Sequence, residues 1–423
     1  MNKFIAISTL LSSILMAEGS GYISQEFVDT TVEKVEGFYS SIGKDIEYKG
    51  NIGVETAYLR HNMNGKRDNQ SAIRFEADGK YQFKENQKFV TKVKALYDTN
   101  DNKRRYFDIN DLYFQHDFED YNFLIGKSTR FWGAMEFYNQ SDTFNTKDWL
   151  DNPFDYESKI GAWNIAYTRF FDDSELSIIV KLHEEKQAMQ ERRSVYNFLP
   201  TAYDKKLDTD SDNEPTIYLK YSSSIDKYQV DYSLIYQNGY DEQRYMVQKT
   251  SRDTNISSMQ QHAYNVDKFI GFGTMVRGDT LYKTELAYTS SHDDKVADYA
   301  QGSIGLEHTL YGIWNKMDVG LIAEYYKYKI FQNHRFNAKS FGKLFDDDLS
   351  LGFRLSLNDI SSSEVLGGWD IDRHNREQLF FVEYDTRIED KYKLGVSYQH
   401  LTPKEDSSFE KLDSVMVEFG YYF

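Results

Sequence analysis

The chain has 423 residues, 16% of them aromatic (34 Tyr, 29 Phe and 5 Trp), with four prolines, no cysteine and a net charge of −17. The missing cysteines exclude a disulfide scaffold or a thiolate metal site. The acidic balance opposes nucleic acid, and so high an aromatic content excludes a disordered chain. Hydrophobic residues make up only 40%, below the roughly 45–50% of ordinary globular chains. Beyond the N-terminus no run approaches the roughly 18 apolar residues of a spanning helix, but a membrane strand needs apolar residues only at alternate positions and leaves no such run.

Lys3 opens the chain with a positive charge, Phe4 to Met16 is apolar apart from small Ser and Thr, and Ala17 is a small residue at which a signal peptidase could cut. Residues 1–17 are therefore expected to be an export signal, and no cysteine follows it to carry a lipid anchor. Residues 18–44 place Phe27, Val28, Val32, Val35 and Phe38 at a loosely helical spacing. They are expected to form a periplasmic or lumenal segment, much too short for a globular plug.

From residue 45 onward the period is two. Ile73, Phe75, Ala77 and Tyr81 alternate with Arg74, Glu76, Asp78 and Lys80, and Leu349, Leu351, Phe353, Leu355 and Leu357 alternate with Ser350, Gly352, Arg354 and Ser356. A strand sends successive side chains to opposite faces, so each such run has one greasy and one polar side. Eighteen strands are expected, at 46–60, 71–83, 87–98, 105–118, 121–128, 160–170, 174–184, 214–224, 226–237, 266–278, 280–293, 299–313, 315–330, 346–359, 361–373, 376–388, 390–402 and 413–423; sixteen fit nearly as well if 105–118 and 361–373 fail. In 105–118 the apolar phase switches between Ile109 and Leu112, which requires a bulge. Connections after even strands are short (84–86, 119–120, 171–173), and several after odd strands are long and polar (61–70, 129–159, 185–213, 238–267, 331–345, 402–412). Sorting of loops by parity is a property of transmembrane barrels, and all four prolines fall in connections or at a strand start, where no ladder hydrogen bond is lost.

If the apolar face meets lipid, the opposite face lines the lumen with charges of both signs, which only a hydrated interior tolerates. Arg74, Lys80, Lys92 and Lys94 form a basic wall on the early strands. The connection 129–159 carries six acids, Glu136, Asp142, Asp148, Asp151, Asp155 and Glu157, against Arg130, Lys147 and Lys159. Its many aromatics need a surface to pack on, and the lumen wall supplies one.

The last strand alternates Val415, Val417, Phe419, Tyr421 and Phe423 with Ser414, Met416, Glu418, Gly420 and Tyr422, and the chain ends on that aromatic. In this it resembles the Gram-negative outer-membrane β-barrels, and the loop 129–159 resembles the third external loop of the porins among them. The resemblance implies a water-filled outer-membrane pore embedded in lipid and lipopolysaccharide. Phe419, Tyr421 and Phe423 would then be a signal read by the barrel-assembly machinery, and the third loop would fold inward so that Arg130 and the six acids narrow the channel opposite the basic wall. It also implies a homotrimer as the habit of the family. Charge rows across a constriction set up a transverse field that favours one ion sign, and the excess acid predicts mild cation preference.

The reading is thus an all-β transmembrane antiparallel barrel of 16 to 18 strands over residues 45–423, passing ions and small hydrophilic solutes, with no enzyme activity, cofactor, metal or nucleic-acid partner. His183-Glu184-Glu185 and His292-Asp293-Asp294 lack a spacing that converges ligands on a metal, and no nucleophile elbow or phosphate-binding glycine loop is present. A substrate-specific carrier with 18–44 as a hatch, an adhesin and a barrel-form enzyme are the alternatives left open at this point.

Overall fold

The structure is a computed structural model that describes residues 46–423 except 61–66, 153–154, 156–157, 188, 192, 196, 198–202, 210–213, 251–256, 315, 332–345, 375 and 405–410. The expected export signal and the segment 18–44 lie outside the described residues, as does Glu157. Eighteen strands form one sheet: Ile46–Leu59 (β1), Asn69–Lys84 (β2), Gln87–Asp98 (β3), Arg105–Asp117 (β4), Tyr121–Ser128 (β5), Ala162–Phe170 (β6), Ser174–Lys181 (β7), Thr216–Ile225 (β8), Val230–Tyr240 (β9), Asn265–Arg277 (β10), Thr280–Ser291 (β11), Tyr299–Ile313 (β12), Met317–Ile330 (β13), Asp347–Ser356 (β14), Glu364–Asp372 (β15), Gln378–Ile388 (β16), Tyr392–Thr402 (β17) and Leu412–Tyr422 (β18). Each pairs antiparallel with its chain neighbours, and β1 closes on β18 from Asn51 opposite Tyr422 to Leu59 opposite Ser414. Phe423 extends this seam, exchanging backbone hydrogen bonds with Gly50 at 3.0 Å in each direction.

The count is eighteen rather than sixteen, because both doubtful segments are strands. In β4 the register against β3 shifts where Lys92 faces Asp111 and Val93 faces Ile109, leaving Asn110 as the extra residue. That bulge resets the phase, so Phe107 before it and Leu112 after it both belong to the outer face. Strand ends differ from the sequence reading where turns intervene. Asp226–Tyr228 forms a 3-10 turn closed by Gln229 at φ 51°, so β9 starts only at Val230. Ile160 leaves the expected strand 160–170, and Lys159–Ile160 pairs instead with Thr146–Lys147 inside the long loop.

The two faces obey the alternation that built them. Outward side chains such as Leu234, Phe269, Leu286 and Ile304 are more than half exposed on the isolated chain, as a lipid-facing surface must be. Near the short-turn end, outward rings lie against one another, Phe83 stacked on Phe114 (5.9 Å between centroids), Phe118 stacked on Tyr121 (4.1 Å) and Tyr121 tilted on Tyr167 (5.5 Å), the arrangement expected of an interfacial girdle. Inward, by contrast, Glu285, Lys283, Glu324 and Lys268 are buried beneath the loops. The core of this protein is therefore the packing of its long loops against the inner wall.

Candidate functional site

The connection between β5 and β6 folds into the lumen, and both of its ends and its tip are fixed by the wall. At the tip the anchors are carboxylates from strands on the far side. Glu285 on β11 accepts the backbone N–H groups of Ala134 (2.7 Å), Met135 (3.4 Å) and Ser141 (2.9 Å). Glu324 on β13 accepts those of Glu136 (2.8 Å) and Phe137 (3.1 Å), and the Tyr326 hydroxyl accepts that of Tyr138 (3.1 Å). A loop inside a barrel cannot use a neighbouring strand to satisfy its backbone, and these side chains take that role.

Apolar packing reinforces the grip. Trp132 and Phe144 bury themselves against Ala166, Ile179, Tyr218, Ile235 and Ile270, and Met135 and Phe137 pack on Ile322 and Tyr326. Phe137 lies in a trough where β14 and β15 lack side chains: a Cβ added to Gly352 or Gly368 would fall 2.5 or 2.4 Å from its ring. The trough is a close approach that only glycine permits.

The other end of the loop docks on the basic wall. Asp151 bonds both Arg74 and Lys94, and accepts from Ser158 Oγ at 2.8 Å. Asp148 lies 3.5 Å from Lys94 and accepts from the Tyr106 hydroxyl at 3.2 Å. Arg104, fully buried at the end of a 3-10 turn capped by Asp101, bonds Glu55, Asp98 (2.9 Å) and the carbonyl oxygens of Leu150 (2.6 Å) and Asp151. Burial alone would raise the Asp151 carboxyl, but Arg74 and Lys94 hold it well below the usual carboxylate range. Asp148 is pushed up by the same burial, with Lys94 opposing.

The remaining sequence-derived residues divide by position. Asp142 pairs with Lys159, whose ammonium also donates to the Arg130 carbonyl at 2.9 Å. Glu136 reaches Arg354 on β14. Arg130 donates to Asn164 Oδ1 at 3.2 Å, its guanidinium sits 5.3 Å from the Phe144 ring centroid, and burial lowers its pKa to about 10. Lys80 binds Glu47 at 3.0 Å toward the short-turn end, and Lys92 sits between Asp78 and Asp111 in the register. Asp155 is exposed in a turn closed through the Asn152 carbonyl.

The expectation that loop acids look across open water at the basic wall differs from this geometry. Asp148 and Asp151 touch that wall, because the loop lies on it. The open gap is next to them, a crevice of about 180 Å³ lined by Glu55, Glu76, Asp151, Asp155 and Glu418 against the single base Arg74. Sequence reading placed Glu76 and Glu418 on the inner face but did not connect them with the loop. It missed Arg104, Glu285 and Glu324 as anchors; for the two glutamates a charged residue inside an otherwise regular strand was the available signal, whereas Arg104 lies in the short turn before β4.

Two further loops lie over this one. Gln190 donates to the Trp149 carbonyl (2.8 Å), and Val195 N–H reaches Gln70 across the barrel mouth (2.9 Å). After β9, Asp241 and Glu242 meet the buried Lys268 at 2.7 and 2.5 Å, and the Tyr299 hydroxyl donates to Asp241 at 2.7 Å. Burial and the Asp241 charge raise Glu242 to about 8, whereas Asp241 stays below the usual range beside Lys268 despite its burial. From the ordinary carboxylate range up to about pH 8 the unfolded chain has lost the Glu242 proton and the folded chain keeps it, so stability falls as pH rises through that interval and levels off above it. Thermal unfolding is expected to show this decline between about pH 5 and about pH 8, and Glu242→Gln should flatten it. An unchanged slope in the variant would assign the titration to another group.

On the long-loop rim, Asp346, Asp348 and Asp372 bring carboxylate oxygens within 4.8 Å of one another, a juxtaposition that spacing in the sequence did not reveal.

No family model matches the chain, and no curated protein does. Among solved structures, OccAB1 of Acinetobacter baumannii matches with a TM-score of 0.54 at 8% identity, covering 89% of this chain and 96% of that one. OmpF of Salmonella typhi, in complex with daunomycin, gives 0.45 at 9% identity over 90% and 99% of the two chains, and a mutant of the Rh. blastica porin gives 0.41 at 14% over 89% and 100%; at those scores the likeness is too loose to argue from. The chain has the fold of an outer-membrane β-barrel, an architecture it shares with OccAB1.

Proposed function

We propose that this protein is an outer-membrane porin, a hydrated channel through which ions and small hydrophilic solutes diffuse passively, with mild preference for cations and no enzyme activity. The observation that carries the reading is the acidic crevice beside the docked third loop, in which Glu76, Asp155 and Glu418 join Glu55 and Asp151 and acid exceeds the bases Arg74, Arg104 and Lys94 that hold those two. In a narrow passage with low-dielectric walls such an imbalance raises the local concentration of the opposite ion. Arg130, Glu136, Asp142, Asp148, Asp151, Asp155 and Glu157 belong to the narrowing loop, and Arg74, Lys80, Lys92 and Lys94 to the wall beneath it. Within this proposal residues 1–17 direct export and 18–44 are a periplasmic or lumenal segment. The exposed outer belt meets lipid and lipopolysaccharide, and the aromatic end Phe419, Tyr421 and Phe423 is read by the assembly machinery. A trimer is the expected assembly.

The test is planar-bilayer recording of the refolded protein under a salt gradient. Stable conductance steps with a reversal potential of cation sign are expected, and Asp155→Asn combined with Glu418→Gln should move that potential toward zero. A folded barrel that never conducts would refute the channel. A conducting one whose reversal potential ignores both substitutions would remove the crevice as its selective element.

A further inference from the structure

Among the described residues the three most exposed large apolar side chains do not lie in the middle of the lipid-facing belt. Ile360 (98% exposed), Trp314 (75%) and Tyr311 (65%) stand at the short-turn end, on the β14–β15 connection, the β12–β13 connection and the last residues of β12. A single exposed apolar residue is ordinary, whereas several in one place mark a contact surface. This surface is held firmly. The Asn358 side-chain amide donates to the Lys316 carbonyl oxygen and to Asp318 Oδ2, each at 2.8 Å, and so clips one connection to the other. The Ser361 carbonyl accepts the Arg387 N–H of β16 at 2.9 Å, and Asp359 Oδ1 accepts the Ser363 N–H at 2.8 Å. Trp314, Lys316, Asn358 and Ser362 take φ of 40°, 87°, 52° and 49°, a region that is costly for residues other than glycine and persists only where the surroundings enforce it. Asn358, Asp359, Ser361 and Ser362 surround Ile360 in the sequence, and irregular polar backbone of this kind is not placed in hydrocarbon. The surface therefore faces the aqueous side.

The chain itself supplies an occupant. β1 begins at Ile46, which pairs with Tyr81 near the β2–β3 turn, so the residues before it emerge at this same end. They carry Val28, Val32 and Val35 at helical spacing, an apolar stripe in need of a partner. Through β18, β17 and β16 the β14–β15 connection lies four to five strand spacings from β1, roughly 20–25 Å at about 4.8 Å each. Residues 39–45 cover that distance when extended at about 3.3–3.6 Å per residue. The two connections are two strands apart, roughly 10 Å, and Val28 and Val35 are separated by two helical turns, about 10.5 Å. Lys316, exposed and without an ion pair among the described residues, would then lie beside Asp29.

We propose that Trp314 and Ile360 are the docking surface for the N-terminal segment 18–44, which lies along the short-turn rim with Val28 toward Trp314 and Val35 toward Ile360. The proposal rests on the reading of residues 1–17 alone as the part removed at export, and the two can fail separately. Because the chain has no cysteine, paired cysteines report the contact in the full mature protein in phospholipid vesicles. Val35→Cys with Ile360→Cys is expected to form a disulfide under mild oxidation about tenfold faster than Val35→Cys with Glu119→Cys, since docking raises the local concentration of one thiol at the other. Glu119 lies in the β4–β5 turn at the same end and nearer to β1, so an undocked segment would meet it first. Val28→Cys with Trp314→Cys is the second pair if the first folds poorly. An intact mass that lacks residues 18–44 would overturn the export reading and the docking together. With the segment present, faster reaction at Glu119 would overturn the docking alone. Quenching of a bimane label on Ile360→Cys by brominated phospholipid would overturn it as well, by giving the surface to the membrane.

Discussion

Replacing Glu285 and Glu324 together by alanine is expected to raise single-channel conductance several-fold and to make the open current noisy. These two carboxylates accept five backbone N–H groups between Ala134 and Ser141, and each buried donor left without an acceptor costs about 1–3 kcal/mol. A loss of that size exceeds what Met135 and Phe137 can hold by themselves, since burying such a side chain contributes about 1.5–3 kcal/mol. The loop tip should leave the wall and free the cross-section it occupies. Single-channel recording decides this, and the Gly352→Val variant, which fills the Phe137 trough, should act in the same direction. Unchanged conductance in the carboxylate variant would mean that apolar packing alone fixes the loop.

The second large effect is expected at Asp151. Substitution by asparagine leaves Arg74 and Lys94 facing one another without the carboxylate that both contact, with Asp151 itself only 4% exposed. Breaking a buried pair from one side costs about 3–5 kcal/mol, so the outer end of the loop should loosen and the local field should become more positive. Reversal potential under a salt gradient should then shift toward anions. Restoring the balance with Lys94→Gln in the same chain should return most of the shift. Were the single variant to keep the wild-type potential, the two bases would have to be neutralised from elsewhere, and the wall would not set selectivity. Because Arg74 and Lys94 hold the Asp151 carboxyl below the usual range despite burial, its contribution should persist as pH falls through the ordinary carboxylate range and be lost only under stronger acid.

Strand positions were legible from the chain because a period of two is local: each run from Ile73 to Tyr81 or Leu349 to Leu357 declares its faces without reference to anything distant. The bulge near Asn110 was legible for the same reason, as a change of phase within one segment. Loop anchoring was not. Glu285 and Glu324 read as two more lumen charges, and nothing within 280–291 or 317–330 says that they meet residues 144 to 188 positions earlier. Arg104 was missed because it follows the strand pattern by only a short turn. The pairing of Asp151 with the basic wall was hidden by an ambiguity of composition: acids on a loop and bases on a wall read the same whether they face across water or touch. Only the path of the loop decides between them.

The seam between β1 and β18 also sets the order of events in assembly. The two partners are separated by the whole barrel, so the contact that removes the last free edges has the longest loop-closure distance in the molecule. Until it forms, both edges present unpaired N–H and C=O groups, the surface on which strands of different molecules join. A nascent chain cannot complete any closed subset of this fold, and folding from one end gains no protection until the final strand arrives. Until the seam closes, the chain depends on its two edges being kept from pairing with other molecules. A circular permutant with new ends between β13 and β14 and its old ends joined would move the vulnerable edges to β13 and β14 while every strand keeps its two neighbours.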